Sequence, residues 1–220
     1  KEITIIIIDD HRIVRKGLKE LIENLGNYKV IGEFENGLNF VSKLPELKTI
    51  PDLFILDYSM PMLNGIEVLQ KALSIDESYK FLLLTQHFEE DIINGVYKNG
   101  ARGFLNKTCT SQDLKFAIDN IINFGYTNIS EILKRVRNYK EPKLSNTYEL
   151  ILSDKELTFL EHVCNEEEYT YSQIADIMNV SVKTIDYYRG LLFTKLDVKS
   201  KVGLVLCSYE NQLTKPFKLK

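Results

Sequence analysis

The first half of the chain takes its fold from an apolar run that ends in two carboxylates, Ile3-Thr4-Ile5-Ile6-Ile7-Ile8-Asp9-Asp10. The run is short, almost wholly apolar and closed by polar residues, which is typical of a buried β-strand. Apolar residues then recur at helical spacing, from Val14 through Leu18 to Leu25. A buried strand followed by an amphipathic helix predicts the repeating unit of a parallel sheet covered on both faces.

The same alternation of short apolar runs and amphipathic segments continues to about residue 124. Four further strands are predicted at Lys29–Phe34, Leu53–Leu56, Phe81–Leu84 and Gly103–Leu105. Segments with helical spacing follow the last three of them, beginning near Ile66, Ile92 and Leu114. The pattern predicts an α/β domain with a doubly wound, five-stranded parallel sheet, a fold that places its site at the carboxyl ends of the strands.

The second half of the chain has helical signals only. Ser153 with Glu156 three residues later forms a capping-box pattern, and further helices are predicted at Tyr171–Met178, Val182–Leu196 and Lys201–Tyr209. The intervening stretch is polar, contains Pro142 and has one short predicted helix, Ser130–Tyr139. We therefore predict a domain at 1–124, a partly helical linker at 125–149, a small all-α domain at 150–212 and a tail at 213–220.

Composition excludes several classes of protein. With 44% hydrophobic and 27% charged residues, the chain is ordinary for a soluble protein and is not wholly disordered. No apolar run approaches the roughly 18 residues needed to cross a bilayer, so no membrane association is expected. Three cysteines without a C-x-x-C pair argue against a disulfide framework and a zinc site, and the cytoplasm is the expected location.

Charged and polar residues stand at the ends of successive predicted strands. Asp9 and Asp10 follow the first strand, Asp57 the third, Thr85 ends the fourth, and Lys107 follows the fifth. Parallel strands bring these ends to one edge, where three carboxylates repel unless they hold a divalent cation or protons. Hard oxygen ligands favour Mg²⁺.

The predicted acidic edge also has a possible chemistry. A carboxylate attacks phosphorus to form an acyl phosphate, while a metal and a lysine neutralise the oxygen charges. Taken singly, each residue also has a structural interpretation. Asp10 would be a helix N-cap, Asp57 a turn residue, Thr85 an ordinary strand residue and Lys107 a solvated charge. Their convergence on one edge favours the functional interpretation.

These residues lie in motifs that closely resemble the receiver domain of bacterial response regulators across residues 2–124. The motifs are Ile8-Asp9-Asp10-His11, Leu56-Asp57-Tyr58-Ser59-Met60-Pro61 with Asn64-Gly65, Leu84-Thr85, and Gly100-Ala101-Arg102-Gly103-Phe104-Leu105-Asn106-Lys107. The resemblance implies that Asp57 accepts phosphate from a histidine kinase. It also implies that Asp9, Asp10, Asp57 and the Ser59 backbone carbonyl hold Mg²⁺. By the same resemblance Thr85 and Phe104 would be switch residues, and Lys107 the phosphate partner.

Two positions depart from the usual receiver pattern. Gln86 stands where the family usually has a small residue, and we expect it to alter the lifetime of the phosphoryl group. Thr108 stands where many receivers have a proline.

The all-α domain contains a helix, tight turn and helix over Tyr171–Ile185, with apolar residues at core spacing. A second helix with a polar outer face is the geometry that enters a major groove. Periodicity alone leaves open a small helical interaction module.

The sequence of this segment resembles the LuxR-type helix-turn-helix. The combination of such a domain with a receiver is similar to the NarL/FixJ family of transcription regulators. The resembling stretches are Leu152–Glu156, Gln173–Ala175, Val180–Ile185 and Thr194–Leu196. The resemblance implies a DNA-binding regulator that forms a homodimer when phosphorylated, with Lys201–Tyr209 in the dimer contact. It implies a recognition helix at Val182–Leu196 whose DNA contacts are Lys183, Thr184, Tyr187, Tyr188 and Arg189.

Charge leaves an alternative open for the helical domain. Between Leu152 and Glu210 acidic residues outnumber basic ones by ten to six, although Ser181–Lys201 has five bases against two acids. Ser172 and Asp186 also occupy positions where relatives often carry a base. We therefore expect weak DNA binding by a monomer, because few groups contact phosphate. The alternative is a receiver whose acidic helical module binds a protein.

Enzymatic function beyond self-phosphorylation and dephosphorylation is not expected. A haloacid-dehalogenase-like phosphatase would require a D-x-D motif on the first strand. Asp9-Asp10-His11 does not supply this motif.

Overall fold

The computed structural model describes residues 1–86, 89–127, 152–165 and 167–214. The chain divides into two compact units, and the described part of the first ends at Thr127. The linker helix predicted at Ser130–Tyr139 lies outside the described residues.

The first unit is the predicted doubly wound sheet. Its strands are β1 (Ile3–Ile8), β2 (Tyr28–Phe34), β3 (Leu53–Asp57), β4 (Phe81–Thr85) and β5 (Gly103–Asn106). All four neighbouring strand pairs are parallel, in the order β2-β1-β3-β4-β5. The helices are α1 (Arg12–Leu25), α2 (Gly37–Lys43), α3 (Gly65–Ile75), α4 (Glu90–Lys98) and α5 (Ser111–Phe124). The fold class predicted from the sequence is confirmed.

Burial on both faces of the sheet explains why the strand sequences are almost continuously apolar. Every residue of β3 and β4 is buried, and Ile5 to Ile8 of β1 are almost completely inaccessible. One hydrophobic cluster joins alternate strand residues such as Ile5 and Ile55 to Ile22 of α1 and Ile118 of α5. Helices therefore cover the sheet, and only its strand ends present polar groups to a ligand.

The second unit contains four described helices, α6 (Asp154–Val163), α7 (Tyr171–Ile177), α8 (Val182–Lys195) and α9 (Lys201–Glu210). The capping box predicted at the start of α6 is present, because Ser153 and Glu156 bond reciprocally. Phe159, Ile174, Ile185 and Leu192 are fully buried and share the interior of this helical unit.

Leu213 and Thr214 were assigned to the tail from the sequence. Both are buried, so ordered structure in this unit extends past α9. The rest of the tail lies outside the described residues.

Candidate functional site

Strand register aligns the polar residues at the carboxyl edge of the sheet. Ile8 pairs with Leu56, so Asp9 follows β1 beside the end of β3. Asp57 pairs with Leu84, which makes it the last residue of β3, one position beyond the predicted strand end. Thr85 pairs with Asn106, and Lys107 comes next along the chain. The ends of these four strands therefore present their polar side chains to one place.

The loop after Asp57 is held tightly against the sheet. A Cβ atom at Gly65 would lie 2.9 Å from the Tyr58 Cα and 3.2 Å from the Asp57 carbonyl oxygen, so a larger residue would displace the backbone beside Asp57. Asn64 caps α3 and forms a reciprocal capping box with Glu67. The N-terminus of α3 therefore fixes the conformation of the loop that carries the predicted acceptor.

Lys107 joins two buried carboxylates. Its Nζ lies 2.7 Å from Asp57 Oδ2 and 2.7 Å from Asp9 Oδ2. Asp57 is 3% exposed and Asp9 is 1% exposed. The backbone N–H of Ser59 donates to Asp57 Oδ1 at 3.3 Å, and that of His11 donates to Asp9 Oδ1 at 2.8 Å. Two buried acids thus share one ammonium group.

The pKa directions follow from this arrangement. Burial raises the pKa of Asp57 above its ordinary value, and the attraction of Lys107 only partly opposes burial. Burial alone would lower the pKa of Lys107, but its bonds to Asp57 and Asp9 outweigh burial and leave that pKa raised. The lysine stays charged at neutral pH, whereas Asp57 is held beside another acid at an energetic cost.

The donor set at this edge fits a hard divalent cation. Ligand atoms of Asp9, Asp10, His11 and Asp57 all lie within 4.8 Å of one another. An octahedral ion with bonds of about 2.1 Å places opposite ligands about 4.2 Å apart, so this cluster has suitable dimensions. Asp10 Oδ1 is buried and accepts no hydrogen bond from the residues that the structure describes. A cation would satisfy that oxygen.

Of the remaining predicted receiver residues, Thr85 and Ser59 lie at or next to the same strand ends, and Phe104 lies within β5, two residues before its end. Thr85 is fully buried, and its carbonyl accepts a hydrogen bond from the Lys107 N–H at 2.8 Å. Phe104 is buried in β5 and pairs with Leu83. Ser59 lies two residues beyond Asp57 on the connecting loop. These placements agree with a common site, while the roles of the side chains remain predictions.

Two features of α1 differ from the sequence interpretation or were missed by it. Asp10 does not cap α1, because the N-cap is His11 and no side chain caps this end. Arg15 is buried and donates from Nη1 to the Asp9 carbonyl oxygen at 2.6 Å, which fixes the backbone between β1 and α1. His11 could have been recognised as the start of α1 from its position directly after the two acids. No pattern in the sequence indicates the contact that Arg15 makes.

The helix-turn-helix geometry is present in the second unit. Asn179, in the turn between α7 and α8, has a φ of 52°, a left-handed conformation that asparagine tolerates better than most residues. The N–H of Val180 donates to the Ala175 carbonyl at 2.9 Å, closing the turn. Ser181 then caps α8 by accepting from the Thr184 N–H at 3.1 Å.

The five predicted DNA contacts do not share one environment. Lys183 and Tyr187 are exposed and, being four residues apart, share a face of α8. The Thr184 hydroxyl lies 2.8 Å from that of Ser181. The Tyr188 ring lies 6.2 Å from that of Phe159. Lys183 and Tyr187 are therefore the best placed to meet a groove.

The Arg189 guanidinium makes two contacts within the helical unit. Its Nη1 lies 3.3 Å from Asp186 Oδ1, and the guanidinium stands 5.5 Å from the centre of the Tyr171 ring. Both charged side chains are partly exposed, so the ion pair is weak. Contact between Arg189 and DNA would compete with these two interactions.

Helix α9 is the predicted dimer contact. Most of its length is inaccessible to solvent. Its residues from Lys201 to Ser208 are all buried in the single chain. The Lys201 Nζ donates to the Tyr169 carbonyl at 2.5 Å. Burial lowers the pKa of Lys201 to about 8. Dimerisation through α9 remains a prediction, and it would require a second copy to replace contacts made within the chain.

Among residues 1–86, 89–127, 152–165 and 167–214, no helix combines the length and the apolar character that crossing a membrane requires.

Comparisons with known families match both units. Residues 5–119 match the response regulator receiver domain, and residues 150–208 match the bacterial regulatory proteins of the luxR family. BvgA of Bordetella pertussis, a regulator of virulence factors, is 32% identical over 95% of this chain and 98% of its own. Response regulator UvrY of Escherichia coli K12 is 28% identical over 92% of this chain and 91% of its own.

Solved structures include a relative bound to DNA. RcsB from Salmonella enterica serovar Typhimurium, bound to promoter rprA in the presence of the phosphomimetic BeF₃⁻, is 25% identical. It covers 94% of this chain and 98% of its own, with a TM-score of 0.56.

Proposed function

The chain belongs to the NarL/FixJ-family response regulators, two-component proteins that join a receiver domain to a LuxR-type DNA-binding domain and regulate transcription, and from this premise we propose that phosphorylation of Asp57 controls its binding to DNA. The observation that carries the proposal is the burial of Asp57 against Lys107 and Asp9 at the carboxyl edge of the sheet.

Asp57 is the acceptor in this proposal. One of its carboxylate oxygens attacks the phosphorus of a phosphohistidine on the sensor kinase. The P–N bond breaks, an acyl phosphate forms, and the departing imidazole nitrogen of the kinase takes up a proton from solvent. Lys107 is close enough to bond a phosphoryl oxygen on Asp57, because its Nζ already contacts the carboxylate. Transfer therefore exchanges a lysine–carboxylate contact for a lysine–phosphoryl contact.

Mg²⁺ is the proposed cofactor. Asp9, Asp10 and Asp57, with the Ser59 carbonyl, would hold it, and the buried Asp10 Oδ1, which accepts no hydrogen bond from the described residues, supports this assignment. When bound, the ion supplies positive charge against the phosphoryl oxygens. We propose that the Thr85 hydroxyl then turns toward the phosphoryl group. Phe104 would follow it, changing the surface around α4 and β5.

The helical unit is the proposed output. Lys183 and Tyr187 lie on an exposed face of α8, and we assign Thr184, Tyr188 and Arg189 to supporting contacts with bases or phosphates. Because the unit carries few bases, we propose that double-stranded DNA is bound tightly only by a homodimer of the phosphorylated protein. The three cysteines are free thiols, which supports the cytoplasm as the location, and we propose no further enzymatic activity.

A second candidate function is binding of a protein partner by the helical unit. Its ten acidic residues against six basic ones between Leu152 and Glu210 favour this candidate. The two functions differ in their response to salt, since contacts with phosphate release counterions. Retention on DNA that weakens with salt and with Arg189→Ala supports DNA binding.

Selection of genomic fragments by the purified full chain tests the proposal. It is carried out with and without beryllofluoride and Mg²⁺, with Asp57→Ala as the matched variant. We expect a two-fold-symmetric motif to be enriched only when beryllofluoride is present and Asp57 is intact. Enrichment regardless of loading would remove the phosphorylation switch. No enrichment by a chain that binds Mg²⁺ and beryllofluoride would favour the protein-binding function.

A further inference from the structure

The exposed residues of α8 recur every three or four positions, so they form one face of the predicted recognition helix. They are Val182, Lys183, Asp186, Tyr187, Gly190 and Thr194. On the opposite side, Ile185 and Leu192 are fully buried in the helical unit. Packing therefore fixes which side of α8 meets the bases when this helix lies in a major groove.

Asp186 is the only acidic residue of α8 and stands near the middle of this exposed face. Its side chain is 50% exposed, and its Oδ1 lies 3.3 Å from Arg189 Nη1. The Arg189 guanidinium in turn lies 5.5 Å from the centre of the Tyr171 ring. A cation next to the carboxylate offsets part of its repulsion by DNA phosphates, so Asp186 can approach the groove.

Gly190 lies four residues after Asp186 on the same face of α8. Glycine is, after proline, the least favourable residue in a helix interior. The Gly190 backbone is helical, and a Cβ atom there would meet none of the described atoms within 4 Å. In α4, by contrast, a Cβ atom at Gly95 would lie 3.1 Å from Ile66 Cδ1. Packing among the described residues does not account for Gly190, whereas close approach of a partner to the helix backbone does.

We propose that Asp186 recognises cytosine in the major groove, and that Gly190 lets α8 approach the bases closely enough for this short side chain to reach them. The proposal rests on the DNA binding of the proposed function and assigns a base to it. A carboxylate accepts hydrogen bonds but does not donate them. It therefore requires a base with a donor in the major groove, which cytosine and adenine have and guanine and thymine lack.

Adenine is the poorer of these two bases for a carboxylate. The N6 amino group of adenine lies between two acceptors, its own N7 and the O4 of the paired thymine. The N4 amino group of cytosine has an acceptor on one side only, the O6 of the paired guanine. Repulsion of the Asp186 carboxylate is therefore weaker at cytosine, and we expect a roughly tenfold preference for this base at one position of each half-site.

Selection from random double-stranded DNA by the full chain, loaded with beryllofluoride and Mg²⁺, tests the assigned base. The parent should enrich cytosine at one position of each half-site. Asp186→Asn should change that base to adenine, because an amide both donates and accepts and so matches N6 and N7. Asp176→Asn, which removes an exposed acid of α7, is the matched control and should retain cytosine.

Two outcomes separate this proposal from the one on which it rests. If the parent and Asp186→Asn enrich the same motif, recognition of a base by Asp186 fails while DNA binding stands. If the parent enriches no motif, the DNA binding of the proposed function fails, and this proposal fails with it.

Gly190→Ala tests the close approach through two effects of opposite sign. Alanine favours a helix more than glycine does, so the midpoint of thermal unfolding of the helical unit should rise by about 4 °C. The added methyl group should nevertheless weaken binding to the selected DNA about tenfold, because it holds the α8 backbone and Asp186 away from the bases. Parental affinity in this stabilised variant would contradict the close approach.

Discussion

Buried charge is handled in opposite ways by the two units of this chain. At the edge of the sheet, Asp9 and Asp57 share the single ammonium group of Lys107, and a buried oxygen of Asp10 accepts no hydrogen bond from the described residues. In the helical unit, Glu156 is equally buried, but Lys195 Nζ contacts both of its carboxylate oxygens at 2.7 and 2.8 Å.

The pKa directions express the same difference. Burial raises the pKa of Asp57 in spite of Lys107. Burial would also raise the pKa of Glu156, but Lys195 and the bonds from Ser153 outweigh it and leave that pKa lowered. A matched buried charge stabilises the fold, whereas an unmatched cluster is kept at a cost and indicates a ligand. Sequence alone does not distinguish these cases, because both begin as a carboxylate next to an apolar run.

The largest expected effect is on phosphorylation, which should require the carboxylate of Asp57 and not that of Glu156. Asp57→Asn should reduce incorporation of phosphate from a small acyl phosphate donor to background, because the amide is not a nucleophile. Glu156→Gln is the matched control and should retain incorporation, since that carboxylate serves the fold. Incorporation of labelled phosphate into both variants measures this. Persistent labelling of Asp57→Asn would contradict the assignment of the acceptor.

The next expected effect is on stability, and it has opposite signs in the two regions. Lys195→Met leaves Glu156 buried without its cation and should lower the free energy of unfolding by about 2 kcal/mol. Asp10→Asn removes a negative charge from the acidic edge. In the presence of a chelator, this substitution should raise the free energy of unfolding by about 1 kcal/mol.

Urea denaturation of the full chain, with hydrogen exchange to assign each effect to its unit, gives both values. Mg²⁺ should abolish the stability advantage of Asp10→Asn, because by the proposed function only the parent has the full set of acids that would hold the ion. A loss of stability in Asp10→Asn without metal would show that the acidic edge is not strained.

The dependence of stability on pH should also differ in sign. Without metal, the folded receiver binds a proton at Asp57 more readily than the unfolded chain does. Its contribution therefore becomes more favourable as pH falls through the raised pKa. The contribution of Glu156 is present above its unfolded pKa of about 4.3. It is lost as pH falls through the lowered folded value.

Hydrogen exchange of β3 and α6 peptides between pH 7 and pH 3, corrected for the intrinsic exchange rate, measures how the stability of each region changes with pH. Each peptide gives one slope of stability against pH. Asp57→Asn should flatten the first slope and Glu156→Gln the second. Parallel slopes in the two parent peptides would remove the contrast between the regions.

A smaller effect is expected from Gln86, the exposed residue directly after Thr85. Because it directly follows the predicted switch residue in the chain, we expect Gln86→Ala to change the lifetime of the phosphoryl group several-fold, by altering the access of water. Loss of label from the phosphorylated chain over time measures this lifetime. Decay at the parental rate would show that Gln86 has no part in the reaction.

Most of the fold could be predicted from local patterns. The β1 bounds agree with the sequence prediction, and the other four strands differ by one residue. Polar residues such as Asp57 and Thr85 continue the ladder because their partners Leu84 and Asn106 lie alongside, which an apolar pattern does not register. The convergence of acids at the sheet edge followed from parallel topology alone.

Contacts between distant positions could not be predicted in the same way. Glu156 and Lys195 are 39 residues apart, and no periodicity pairs them. Tyr188 stays a predicted DNA contact, but no pattern in the sequence shows that the rotation of α8 brings its ring near Phe159 and leaves Tyr187 exposed. These features depend on how helices pack, whereas strand ends in a parallel sheet are ordered by the fold itself.

Identification of the phosphorylated residue tests the central claim most directly. The full chain is incubated with Mg²⁺ and a small acyl phosphate donor, reduced with borohydride and digested, so that an acyl phosphate is converted to homoserine and located by mass spectrometry. The account predicts homoserine at position 57 alone, with no product in Asp57→Asn. Homoserine at position 9 or 10, or none anywhere in a chain that has bound Mg²⁺, would contradict it.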